Sequence, residues 1–143
     1  MHLSMREKRT IGIIMIDVDN FKKINDMRGH QTGDSVLTFC AQILKNNIRK
    51  SDLIGRYGGD EFIVYLPHVK PAHLKSLGTR LRKHILYKNP HPFSVTISLG
   101  LASCIIARDP ETEIKTLIEK ADTSLRKAKQ DGRNTVVVFR EES

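Results

Sequence analysis

Residues 11–16, IGIIMI, form an unbroken apolar run that stops at an acid, Asp17. A strand with one face in water alternates apolar and polar residues. A run that is apolar at every position needs cover on both faces, so this segment predicts a central strand with packing above and below its sheet. The cover is legible further along. Val36, Leu37, Cys40, Ile43, Leu44 and Ile48 recur at steps of three and four, which predicts a helix from Asp34 to about Arg49. Pro71 opens a second helix, with Leu74, Leu77, Leu81 and Ile85 inward, and KNPHP breaks it. Asp109 and Pro110 read as the N-cap and first residue of a third. Its buried stripe is Ile114, Leu117, Ile118, Ala121, Leu125 and Ala128, and Gly132 is its stop.

The remaining strand signals are DLIGRY and DEFIVYLP, FSVTISLGLA, and NTVVVF. Gly58 and Gly59 separate the first two and predict a hairpin, because a two-residue turn needs positive φ angles that glycine supplies. The order is strand, helix, hairpin, helix, strand, helix, strand, without a repeat. It predicts an α+β fold with a central, mostly antiparallel sheet flanked by helices. At 143 residues the chain is expected to be one domain, 1–143, with residues 1–10 a poorly ordered extension. No apolar run is long enough for a bilayer and the first ten residues lack a signal-peptide core, so a soluble, cytoplasmic protein without a membrane segment is expected. Cys40 and Cys104 lack metal-type spacing and read as reduced core thiols.

Two features point to chemistry. The first strand ends in DVDNFK, and the hairpin tip carries Asp60 and Glu61. A central sheet position brings Asp17, Asp19, Asp60 and Glu61 together. Gathered carboxylates resist ionisation unless a cation sits among them, and a hard divalent ion, Mg²⁺ or Mn²⁺, is the natural one. Such ions serve phosphoryl transfer by activating an attacking oxygen and stabilising a leaving one. The second feature is the charge: 24 basic against 16 acidic residues, formally +8, which fits an anionic partner without selecting one. The basic residues are scattered along the sequence and aromatic residues make up only 6%, so base stacking on nucleic acid has little support.

The segments IDVDNFKKINDMRGHQTGDSVL, RKSDLIGRYGGDEFIVYLP, SVTISLG and ADTSLRKAKQDGRN together resemble the GGDEF family, the bacterial diguanylate cyclases, from about residue 11 to the last strand. The resemblance implies a fold related to nucleotidyl cyclase and polymerase palm domains, with a ferredoxin-like core. It implies condensation of two GTP into cyclic di-GMP with loss of pyrophosphate. It further implies Mg²⁺ ligation by Asp17, Asp60 and the Val18 carbonyl, with Glu61 beside a second metal and helping to deprotonate the ribose 3′ hydroxyl. Gly58 and Gly59 would let the nucleotide approach the hairpin backbone, and Lys22, Lys129 and Arg133 would hold phosphates. Asn25 and Asp34 would read guanine. The chemistry agrees, since a carboxylate accepts from the N1 and N2 donors of guanine and meets an acceptor at N1 of adenine.

Arg49 and Asp52 form an RxxD pattern ahead of the glycines. One arginine and one aspartate suffice to bind guanine, although the same pair also serves as a helix-end salt bridge. In the family RxxD is the product-inhibition site, and Arg80 falls where a supporting arginine is expected. With one acidic cluster per chain and a product containing two equivalent phosphodiester links, a transient homodimer is implied, together with a regulatory domain outside this chain. Two departures stand out: the family's helix and DxLTGLxNR segment are not found ahead of the first strand, and Arg126 replaces a usual tyrosine. The alternative function is a catalytically weak or idle domain that binds GTP or cyclic di-GMP.

Overall fold

A computed structural model of the chain describes residues 9–106 and 110–141. The elements are β1 (Thr10–Val18), α1 (Phe21–Arg28), α2 (His30–Asn46), β2 (Leu53–Arg56), β3 (Glu61–Leu66), α3 (Pro71–Lys88), β4 (Ile97–Ile105), α4 (Pro110–Gln130) and β5 (Val136–Val138). The sheet order is β2-β3-β1-β4-β5, so the apolar run is indeed central. Three of its ladders are antiparallel and β4–β5 is parallel, which makes the sheet mixed.

Strand alternation then sorts the cover. Ile14, Ile16 and Val18 face a core with α1, α2 and α3, whereas Ile11, Ile13 and Met15 face α4. A Cβ at Gly100 of β4 would lie 2.1 Å from the Ala121 carbonyl oxygen and 2.3 Å from the Leu125 nitrogen. Only glycine there lets α4 lie directly on the sheet, which fixes where its last turn reaches.

Four local expectations are corrected. Helix α1 was not foreseen, because eight residues with one buried side chain, Ile24, give no periodic stripe to read. Helix α2 starts at His30 and ends at Asn46 rather than running from Asp34 to about Arg49; Gly29, at φ 90°, makes the joint with α1. The hairpin loop spans four residues, closed by Tyr57 N–H donating to the Glu61 carbonyl at 2.9 Å, and neither Gly58 nor Gly59 lies in the left-handed region. Strand β4 occupies 97–105, later than the apolar pattern of 93–102 suggests. The Asp109 cap lies outside the described residues. Cys40 is buried and its thiol is pushed up to about 12 by burial, while Cys104 is only half-buried; both are free. Among the described residues no helix is long and apolar enough to cross a membrane.

Candidate active site

The carboxyl end of β1 meets the hairpin tip through register. Asp17 is the cross-strand partner of Glu61, and Val18 N–H donates to the Asp60 carbonyl at 3.0 Å. Asp17 has the parity of Met15 and Ile13, so it faces α4, whose last turn brings Lys129 into an ion pair with its Oδ2. The other oxygen, Oδ1, is buried without a hydrogen-bond partner. Burial pushes the Asp17 carboxyl up; Lys129 pulls it down by hydrogen bonding, and the charge of Asp60 pushes it up again, to about 6. For Lys129, burial favours the neutral amine, but the Asp17 hydrogen bond and the charges of Asp17, Glu61 and Asp60 raise its pKa.

Thus one ammonium stands among three carboxylates where sequence reasoning placed a metal ion. No three His, Cys, Asp or Glu side chains form a ready metal cluster among the described residues. The donor set nevertheless fits a hard divalent ion: Asp17 retains an unsatisfied oxygen, Asp60 is adjacent, and the group already draws in a cation. Glu61 has its own place, because a Cβ at Gly58 would lie 2.8 Å from Glu61 Oε1. Gly58 therefore makes room for that carboxylate, and Gly59 faces open space.

Asp19 does not join the cluster. Its carboxylate accepts from Thr96 Oγ1 at 2.7 Å, Ser98 Oγ at 2.6 Å and Asn134 N at 2.9 Å. It is buried and fully engaged, tying the end of β1 to β4 and to the turn at Arg133 and Asn134. Both turn residues have positive φ, 65° and 47°. Arg133 is thereby held, exposed, in the turn that follows the last turn of α4.

Asn25 of α1 and Asp34 of α2 come from the two helices joined at Gly29. A Cβ at residue 33 would stand 1.7 Å from Asn25 Oδ1, so Gly33 lets α1 approach α2 closely. That Oδ1 is buried without a partner. Asp34 and Lys22 are exposed.

Arg49 and Asp52 lie on the other end of the sheet. Arg49 donates to Asp52 through Nε at 3.2 Å, Nη2 at 3.1 Å and its backbone nitrogen at 2.9 Å, and also to the His68 carbonyl. Arg80 donates to Asn47 Oδ1 at 3.1 Å and to the Asn47 carbonyl at 3.0 Å, which satisfies the end of α2. Together these side chains line a cleft of about 490 Å³ with His68, Lys70 and His73. The sequence reading missed those three, and also Arg56, which shapes the hairpin by donating to the Gly59 carbonyl at 2.7 Å. Nothing in spacing marks a histidine or lysine that only tertiary packing brings to a cleft. Arg126, the departure from the family's tyrosine, is exposed and pairs with Asp122 at 2.7 Å.

The profile of the family described as diguanylate cyclase, GGDEF domain, matches residues 1–135, so the chain belongs to the GGDEF family. Diguanylate cyclase A of Treponema denticola is 40% identical over 139 residues, covering 94% of this chain and 37% of the relative. The active GGEEF domain of a diguanylate cyclase from Vibrio cholerae superposes with a TM-score of 0.85 at 31% identity, covering 99% of this chain and 90% of that one. The GGDEF domain of DgcB from Caulobacter crescentus, in complex with c-di-GMP, gives 0.83 at 26% identity, with 98% and 83% covered. The palm-like fold expected from sequence is thereby established. The chain spans 21% to 37% of the length of the first curated relatives it matches.

Proposed function

We propose that this domain condenses two GTP molecules into cyclic di-GMP and pyrophosphate. The observation that carries the reading is the buried, half-satisfied Asp17 flanked by Asp60, Glu61 and Lys129, in a chain of the GGDEF family. Asp17, Asp60 and the Val18 carbonyl would hold Mg²⁺ or Mn²⁺, which would neutralise phosphate charge and activate the attacking oxygen. Glu61, placed over Gly58, accepts the proton of the ribose 3′ hydroxyl. Lys129, Arg133 and Lys22 bind phosphate oxygens. Asn25 offers its orphan Oδ1 to the guanine amino group, and Asp34 accepts from N1 and N2. Gly59 leaves the hairpin open for close approach of the nucleotide.

One such site per chain holds one GTP, so two chains meet across a two-fold axis with each 3′ hydroxyl aimed at the other's α-phosphate. Product binding at Arg49, Asp52 and Arg80 opposes that meeting and inhibits. The test is incubation with GTP and Mg²⁺, with the product identified by mass. Cyclic di-GMP, absent when the metal is chelated, is the expected result. Unchanged GTP alongside tight cyclic di-GMP binding identifies an idle binding module instead and rejects the catalytic reading.

A further inference from the structure

The basic residues are scattered along the sequence, but the excess of positive over negative charge is not. Residues 62–106 contain Lys70, Lys75, Arg80, Arg82, Lys83 and Lys88 and no Asp or Glu, which gives +6 of the formal +8. All six lie on α3 or at its N-cap. Along α3, residues four apart share a line. One line is Lys75, Thr79, Lys83 and Tyr87, and the line beside it is Ser76, Arg80, His84 and Lys88. Ala72, Ser76 and Thr79 form the floor of a shallow open groove of about 590 Å³ edged by Lys75, Lys83 and His84. Among the described residues no carboxylate pairs with Lys70, Lys75, Lys83 or Lys88, in contrast to α4, where Arg126 pairs with Asp122 and Lys127 with Asp131.

Stability gives no reason for this pattern. An acid in the first turn favours a helix, and α4 has Glu111 and Glu113 there, with Lys127 and Lys129 in its last turn. Helix α3 has no acid in its first turn and places Lys70 at the N-cap, against its own dipole. The positive field is felt by His84, whose pKa is lowered by burial and then by Lys88 and Arg80. Lys70 lines the cleft of Arg49 and Asp52, whereas Lys75 and Lys83 edge the outer groove and remain unpaired, which a partner supplying negative charge accounts for.

We propose that the outer face of α3 docks this domain on an anionic lipid surface. The chemistry of the face selects that partner over others. Its cations are mainly lysines, which are point charges on flexible stems rather than planar forks for one phosphate or carboxylate. The floor between them is small and shallow, with no aromatic platform on which nucleic-acid bases could stack. The large exposed ring on this helix is Tyr87, 77% exposed at the C-terminal end of the lysine line, and an amphipathic ring suits the headgroup layer. Lysines clustered on a helix face are attracted to an acidic leaflet additively and within a Debye length, so the contact weakens with salt.

The test is sedimentation of the chain with vesicles of phosphatidylcholine alone or mixed with phosphatidylglycerol. Binding only to the mixed vesicles, falling as salt rises, is expected. Lys75→Glu with Lys83→Glu should reduce partitioning at least about tenfold. Lys45→Glu with Lys115→Glu, an equal change of net charge on α2 and α4, should leave most of it intact. Absence of binding to mixed vesicles overturns the proposal. So do equal losses in the two double variants, which would show undirected charge attraction. Preference for duplex DNA that anionic vesicles cannot displace overturns it in favour of a nucleic-acid partner.

Discussion

Two ion pairs at opposite ends of the sheet look alike on paper and differ in what they leave undone. Arg49 and Asp52 satisfy one another: both Asp52 oxygens accept, and the arginine has a spare hydrogen bond to a carbonyl. Lys129 and Asp17 do not. One Asp17 oxygen is buried and unpartnered, and its carboxyl has been pushed up to about 6 by burial and by Asp60. A buried polar atom without a partner costs on the order of 1–3 kcal/mol, so it persists where another species completes it. The first pair holds a loop whether or not a ligand is present, whereas the second leaves one buried acceptor open to a further donor or cation. Architecture and chemistry are thus separable in this small domain, and each pair can be perturbed alone.

The sharpest separation should come from Asp17→Asn. In the parent, the Asp17 pKa is raised on folding, so the folded state holds its proton after the unfolded chain has released it. Stability of the metal-free domain therefore falls as pH rises from about 4 to about 6. Asp17→Asn should flatten that slope, leave the thermal midpoint at pH 8 equal to the parent's or higher, and abolish both turnover and the rise in midpoint on adding Mn²⁺. Calorimetry with and without the ion checks this. A variant that unfolds at every pH would mean that the carboxylate holds the fold, and the two pairs would then not differ in kind.

A smaller effect is expected where no ion pair exists. Asp34→Ser should reduce the preference for GTP over ATP by about 10- to 100-fold, the worth of one charged hydrogen bond. Competition between the nucleotides measures it, and an unchanged preference would move base reading elsewhere.

The self-sufficient pair should respond least in rate. Arg49→Ala should leave the uninhibited rate unchanged and relieve inhibition by cyclic di-GMP. It should also lower the thermal midpoint by a few degrees, because Asp52 is buried and keeps only the backbone nitrogen of residue 49. Rates with and without added product, set beside a melting curve, separate those effects. Persistent strong inhibition would leave the pair a purely structural clasp.

The same contrast explains how much could be read in advance. The central strand, the amphipathic stripes of α2, α3 and α4 and the acidic hairpin were legible because burial writes a period into sequence. Helix α1 was not, since one buried isoleucine in eight residues leaves no period. Asp17, Asp60 and Glu61 were legible as a group, but the fate of Asp19 was not. Three donors, from β4, the residue before it and the turn after α4, engage it, 77 to 115 residues away in the chain. The turn chemistry assigned to Gly58 and Gly59 was wrong in kind, because room for a carboxylate and a positive φ call for the same residue. The basic face of α3 was hidden because each lysine is unremarkable until the helix aligns it with the next.

The account rests on the acidic cluster doing chemistry rather than holding structure, and Asp60→Asn tests that most directly. Parent and variant, at equal concentration with GTP and Mg²⁺, should melt alike, since Asp60 is on a half-exposed hairpin tip and its replacement removes no core volume. Mass analysis should then find cyclic di-GMP from the parent and none from the variant. Parent-like product formation by Asp60→Asn would contradict the assignment.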